Sequence, residues 1–315
     1  MTKKLNLLTP AFKEIIWGGT VLKERYHKNT DMDVLAESWE LSSHPDGQSL
    51  IDGMPLYDYV QANPEVLGSK CPVKDVPLLI KFIDARRDLS IQVHPDDAYA
   101  LEHEHDNGKT EMWYVIEAEP GAHIYLGVNQ ELTKEEFRNS IYDHSILDKL
   151  NLVPVKEGDI FLVRSRTLHA IGAGCLMLEI QERSNITYRV YDYDRRDKDG
   201  NPRQLHIEKA LEVSDLTPYD YKTRPDAIEK DDKNGSIELL RKTEYFSTYS
   251  YKVRHYETIN VDETSFTCLI MVSGEGAVSC DDELVSLCQG DSLFIPAGAG
   301  EVLIRGNCEA VVVTL

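Results

Sequence analysis

The stretch Gly290-Asp291-Ser292-Leu293-Phe294-Ile295-Pro296-Ala297-Gly298 decides how the chain is read. It places a Gly-Asp turn, an apolar run and a Pro-x-Gly turn in immediate succession. Glycine supplies turn angles that other residues disfavour, and proline withholds a backbone donor, so both ends of the run are punctuated. A short run between such signals reads as a strand.

The same layout occurs earlier. Glu157-Gly158 is followed by Asp159-Ile160-Phe161-Leu162-Val163. Eleven residues beyond Gly158 stands His169, then Ala170-Ile171; eleven residues beyond Gly290 stands Glu301, then Val302-Leu303. The segment Phe246-Ser247-Thr248-Tyr249-Ser250-Tyr251-Lys252-Val253 alternates polar and apolar, the mark of a half-buried strand. Many short strands at close spacing predict a sandwich or barrel. The repeated layout resembles the cupin half-motif. That resemblance implies a mainly β protein of tandem cupin-like (jelly-roll) barrels, with Glu301 standing where the second barrel would carry its metal histidine.

Helices are few and short, expected around 96–105, 133–150 and 207–213. Pro95 and two acids open the first. Thr133-Lys134-Glu135-Glu136 opens the second with a capping-box pattern, and Phe137 and Ile141 follow on one face. The polar stretch 217–236, with Asp231-Asp232-Lys233-Asn234-Gly235, reads as a linker or loop. It would divide a catalytic unit, 1–216, from a second, metal-free unit, 237–315.

The chain has 315 residues, 42% hydrophobic and 28% charged, with a net charge of -20. Such an acidic surface argues against nucleic acid, which needs clustered Lys and Arg. An anionic substrate would need a local basic pocket. No window approaches the roughly 18 apolar residues of a membrane span. The six cysteines form no CxxC pair, so free thiols and a cytoplasmic location are expected. Oligomeric state is not readable.

The chemistry concentrates in Leu89-Ser90-Ile91-Gln92-Val93-His94-Pro95-Asp96-Asp97. Strand alternation puts Gln92 and His94 on one face. Glu111 enters the apolar run Met112-Trp113-Tyr114-Val115-Ile116, where a carboxylate is costly unless it is paired or binds a metal. His169 sits in apolar company. Two imidazoles, a carboxylate and an amide oxygen suit zinc, and equally iron or manganese. His103 and His105 lie in the polar Glu102-His103-Glu104-His105-Asp106 and read as surface. Lys81 interrupts the apolar Val76-Pro77-Leu78-Leu79-Ile80, and a buried cation wants an anion.

Three blocks together resemble type I mannose-6-phosphate isomerase in its compact bacterial form. They are Pro77-Leu78-Leu79-Ile80-Lys81 continuing through Leu89–Pro95; Gly108-Lys109-Thr110-Glu111-Met112; and His169-Ala170-Ile171 through Glu179 and Ser184-Asn185 to Tyr188-Arg189-Val190-Tyr191-Asp192-Tyr193-Asp194. Trp17-Gly18-Gly19 and Glu37-Ser38-Trp39-Glu40 fit the same family. The common Lys-Pro-Glu motif is here Lys109-Thr110-Glu111, and the large helical insertion of longer members is reduced to the stretch near 133–150.

The resemblance implies one zinc per chain, held by Gln92, His94, Glu111 and His169. It makes Arg189 and Lys109 the cations near the reacting carbons, and places Lys81 and Ser90 close to the phosphate of a small sugar-phosphate substrate. The implied reaction interconverts mannose 6-phosphate and fructose 6-phosphate through an enediol-type intermediate. Glu179 and a zinc-bound water are the candidates for the proton carrier. A metal-dependent cupin oxygenase and a non-catalytic sugar-binding cupin are the alternatives.

Overall fold

The computed structural model describes residues 3–196 and 199–315. It is mainly β and builds three sheets. A six-stranded sheet runs Ile160–Val163, Glu111–Ala118, Cys175–Glu182, Leu78–Ala85, Glu37–Leu41, Ala11–Lys13. A five-stranded sheet runs Leu150–Pro154, His123–Val128, His169–Ile171, Ile91–Val93, Tyr188–Tyr191. An eleven-stranded sheet holds the eight strands from Ala227–Asp231 onward together with the N-terminal strands Asn6–Thr9, Leu50–Ile51 and Met54–Pro55, Asn6 pairing with Phe294.

The strand Leu78–Ala85 shows why these segments read as continuous apolar runs. Every residue in it is buried. Its Leu78, Ile80 and Phe82 face a core shared with Cys268, Ile270, Val311 and Val313 of the C-terminal unit. Its Ile83 and Ala85 face inward, with Trp113, Ile124, Leu126 and Met177 between the smaller sheets. A sheet covered on both faces loses the polar alternation that marks a half-exposed strand.

The Gly-Asp repeat is structural. Gly158 and Gly290 both take positive φ, 83° and 95°. Asp159 accepts from Lys156 N at 3.0 Å, and Asp291 accepts from Cys288 N at 2.8 Å. At Gly290 a Cβ would meet Tyr26 O at 2.4 Å, so no larger residue fits that turn.

Helices sit on the outside. Asp97–His103 is capped by Asp96, which accepts from Tyr99 N. Lys134–Tyr142 carries the complete capping box of Thr133 and Glu136. With Ile207–Val213 it packs over the five-stranded sheet, Phe137, Ile141, Ala210 and Leu211 meeting Ile91 and Val93. Helices Val21–Glu24 and Leu56–Ala62 had no clear sequence signal. Within 217–236, Ala227–Asp231 forms a strand paired with Gly235–Lys242. No helix among the described residues is long and apolar enough to cross a membrane.

Candidate functional site

The two smaller sheets bring the sequence-predicted residues to one place. From the five-stranded sheet come Gln92 and His169, direct register partners, with His94 just past the strand end. From the six-stranded sheet comes Glu111, opposite Gln181, and beside it Glu179, opposite both Lys81 and Trp113. Arg189 on the edge strand Tyr188–Tyr191 is the other register partner of Gln92. Residues from opposing sheets thus converge on a cavity of about 320 Å³ lined by Lys81, Ser90, Gln92, Lys109, Glu179 and Arg189.

His94, Glu111 and His169 hold ligand atoms within 4.8 Å of one another, all buried; this is the one such cluster among the described residues. His94 Nδ1 lies 2.7 Å from Ile186 O, and His169 Nδ1 lies 2.8 Å from Thr167 O. A carbonyl only accepts, so each Nδ1 carries the proton and each Nε2 presents a lone pair. Those lone pairs point at Glu111, at 3.6 and 3.4 Å. Burial, then Lys109, hold the His94 pKa well below its usual range. Burial lowers His169 to about 4. Neutral imidazoles cannot donate from Nε2, and His94 Nε2 and Glu111 Oε1 have no hydrogen-bond partner. Buried acceptors aimed at one another are costly, and a cation among them removes the cost. The donor set therefore fits a divalent metal.

Gln92 takes part differently from the histidines. Its Nε2 stands 3.3 Å from His169 Nε2 and donates to that lone pair. A half-turn of the amide exchanges nitrogen for oxygen at this spot, the ligand orientation.

Two ammonium groups complete the floor. Lys81 Nζ is 3.0 Å from Glu179 and 3.7 Å from Glu37. Lys109 Nζ is 2.7 Å from Glu111 and 3.5 Å from Glu179. Burial works against the charge on Lys81, but Glu179 and Glu37 outweigh it and raise its pKa. Burial also opposes the charge on Glu179, yet Lys109 and Lys81 hold its pKa down to about 2. Glu111 is pushed up to about 7 by burial and by Glu179.

Several site residues carried no sequence signal. Trp113 Nε1 donates to Glu179 at 2.8 Å. Glu182 accepts from Thr110 N at 2.6 Å, and Asp97 accepts from Gly108 N at 2.8 Å, so two carboxyl groups brace the Lys109 segment from behind. Burial and Asp97 push Glu182 up to about 8. Arg203 and His206 reach the cavity from an irregular stretch that no periodicity marks.

Comparison with known proteins matches this architecture. The catalytic domain of type I phosphomannose isomerase matches residues 5–121, and the cupin domain of mannose-6-phosphate isomerase matches residues 236–315. The mannose-6-phosphate isomerase of Streptococcus mutans serotype c is 38% identical over 322 residues, covering 99% of this chain and 98% of its own. The chain belongs to the type I phosphomannose isomerase family. Another family member, mannose-6-phosphate isomerase ManA of Bacillus subtilis, is 35% identical over 320 residues, 99% of each chain. A crystal structure of a mannose 6-phosphate isomerase from Bacillus subtilis superposes with a TM-score of 0.93 at 35% identity, covering 99% of this chain and 100% of that one. As a type I phosphomannose isomerase the chain is an enzyme, and the mainly β cupin architecture is the one its Gly-Asp repeat predicts.

Proposed function

We propose that this chain interconverts mannose 6-phosphate and fructose 6-phosphate with one zinc, held by His94, His169, Glu111 and Gln92, through an enediol-type intermediate. The observation that carries it is the meeting of two imidazole lone pairs and a carboxylate oxygen lacking a hydrogen-bond partner beside two buried ammonium groups, in a cavity of this family. When bound, zinc supplies Lewis acidity to the sugar's carbonyl and neighbouring hydroxyl without changing oxidation state.

The chain's own residues do the rest. Isomerisation moves a proton between C1 and C2 and places negative charge on O1 and O2. Lys109, two residues before the Glu111–Ala118 strand, and Arg189, on the Tyr188–Tyr191 strand of the other sheet, are fixed cations, and preorganised charge of this kind is often the largest catalytic contribution. Glu179 suits a different task from proton abstraction. Lys109 and Lys81 hold its pKa down, which weakens it as a base, while its contacts with Lys81, Lys109 and Trp113 make it the group that aims both ammonium groups. Ser90 Oγ accepts from Arg189 Nε at 3.1 Å, so the hydroxyl and guanidinium face the substrate together.

The division into a catalytic unit, 1–216, and a second unit, 237–315, belongs to the same proposal. Glu301, where that unit would carry a metal histidine, is exposed, which supports a metal-free role for it.

A coupled assay of mannose 6-phosphate turnover, on protein whose metal content is measured, tests the reading. Stoichiometric zinc with turnover supports it. His169→Ala should lose metal and turnover together. Stoichiometric iron with oxygen-dependent turnover would overturn it.

A further inference from the structure

Charge is unevenly divided along the cavity. At its floor two cations, Lys81 and Lys109, face three carboxylates, Glu37, Glu111 and Glu179. Both ammonium groups there are already paired with carboxylates. At the other end, burial and then Arg203 and Arg195 lower the pKa of Arg189, and Asp192 alone raises it. Among the described residues, three guanidiniums gather there around the carboxylate of Asp192. A sugar phosphate carries about −1.5 to −2 charges near neutral pH. The matching end is the guanidinium end.

Asp192 organises that end. It accepts from Arg203 Nε at 2.8 Å and also from an Arg203 terminal nitrogen. The same carboxylate accepts from Arg195 Nε at 3.1 Å. Arg203 still lines the cavity beside Ser90, Arg189 and His206. A guanidinium has five N–H donors, and a carboxylate gripping two of them fixes the plane of the rest. Arg189 is held as well, by Ser90 Oγ and by Gln204 O at 3.0 Å.

We propose that Arg203, clamped by Asp192, is a ligand of the substrate's phosphate, working with Ser90 at the guanidinium end of the cavity. This rests on the isomerase reading above. It divides the labour of the arginines: Arg203 holds a charge present from the outset, and Arg189 lies between that charge and the metal ligand Gln92. Lys81, its charge shared by Glu179 and Glu37, steadies the floor.

The test uses the zinc-loaded enzyme with Arg203→Ala, Arg203→Lys and Asp192→Asn. The readouts are KM and kcat for mannose 6-phosphate and competitive inhibition by inorganic phosphate. Loss of a hydrogen-bonded charged contact predicts a rise of about 10- to 100-fold in KM for Arg203→Ala. The inhibition constant for phosphate should rise in parallel, with kcat within a few-fold of the parent. Arg203→Lys, which keeps charge but not the fork, should fall between. Asp192→Asn should raise both constants by freeing Arg203. Parent-like KM and phosphate inhibition in Arg203→Ala and Arg203→Lys, or a fall in kcat at unchanged KM, overturns the proposal. If Arg203→Ala does not fold, Arg203→Lys decides alone. A parent enzyme that binds phosphate but does not turn over mannose 6-phosphate would refute the isomerase reading, and calorimetric titration of parent and variants with phosphate then still judges Arg203.

Discussion

Lys109 Nζ lies 2.7 Å from Glu111 Oε2, so the carboxylate of the candidate metal cluster is shared with a buried ammonium group. A cation this close to a ligand oxygen opposes the arrival of a divalent ion while favouring negative charge on a substrate nearby. Lys109→Met should therefore separate binding from turnover. Zinc retention against a chelator should improve, by about tenfold if roughly 1.4 kcal/mol of repulsion is relieved. Turnover should fall on the order of 10²–10³-fold, as for a lost charge-stabilising group. Chelator competition and steady-state kinetics on one preparation read both. Weaker zinc retention together with parent-like kcat would show that Lys109 only shapes Glu111.

A second buried pair is tied to the strand Ser292–Ile295 through Ser292. Lys28 Nζ is 2.8 Å from Glu40 Oε1, and Glu40 is fully buried. Ser38 Oγ donates to the same carboxylate at 2.6 Å, and Ser292 Oγ, from the C-terminal unit, at 2.7 Å. Glu40→Ala would leave Lys28 without its counter-charge, which costs about 3–5 kcal/mol. Replacing both partners by apolar residues of similar size removes the charge problem, so Lys28→Met with Glu40→Leu should recover most of the loss. Urea unfolding of the single and the double variant is the measurement. A single variant within about 1 kcal/mol of the parent would mean water reaches the site.

The candidate metal cluster was legible because its residues offend their surroundings. Glu111 and His169 sit in apolar strands, and such groups must have partners. The period-2 rule then put Gln92 and His94 on one side. The Gly-Asp repeat announced two barrels because its glycines need positive φ and its aspartates bond three residues back. What stayed hidden depends on long-range contact. Trp113 reads as core until Glu179 is seen against its indole. Arg203 lies in an irregular segment, and only the fold lays it beside Ser90. The helix Leu56–Ala62 escaped notice because its N-cap, Pro55, gives no side-chain cap. The N-terminal strand's membership of the C-terminal sheet leaves no local mark, since a register such as Asn6 with Phe294 spans nearly the whole chain.

Asp84 gives a pH-dependent stability. Burial pushes its carboxyl up to about 6, although Val21 N donates to it at 2.7 Å and the Leu22 amide also helps its charge. The unfolded value is near the ordinary 3.8. The folded state thus binds the extra proton between about pH 4 and pH 6, and stability falls as pH rises through that window. Above it the penalty is complete, at most about 3 kcal/mol. Asp84→Asn keeps an acceptor for the helix start and has no charge to bury. Its stability should equal the parent's near pH 4 and exceed it by about 1–3 kcal/mol near pH 8. Urea midpoints at the two pH values decide; a difference that does not change with pH would place the carboxyl in water.

Arg189 tests the separation of binding from catalysis. Its guanidinium is fixed by Ser90 and by Gln204 O, and its backbone faces Gln92, a proposed metal ligand. Arg189→Ala should keep the fold, because the Tyr188–Tyr191 strand is anchored by Tyr188 and Val190 in the core. It should keep zinc, because Arg189 is not among the residues that would hold it. It should keep much of the substrate affinity, since Arg203 remains to meet the phosphate. What it loses is charge aimed at an enediolate that exists only during the reaction. An interaction made only in the transition state lowers kcat and kcat/KM by similar factors. One such contact in a closed site is worth about 2.7–4 kcal/mol, on the order of 10²–10³ in rate. A surface arginine would behave otherwise, since exposed ion pairs contribute about 0–1 kcal/mol. Steady-state kinetics with zinc content verified separates the two: kcat within about threefold of the parent, under 1 kcal/mol, would remove Arg189 from the chemistry.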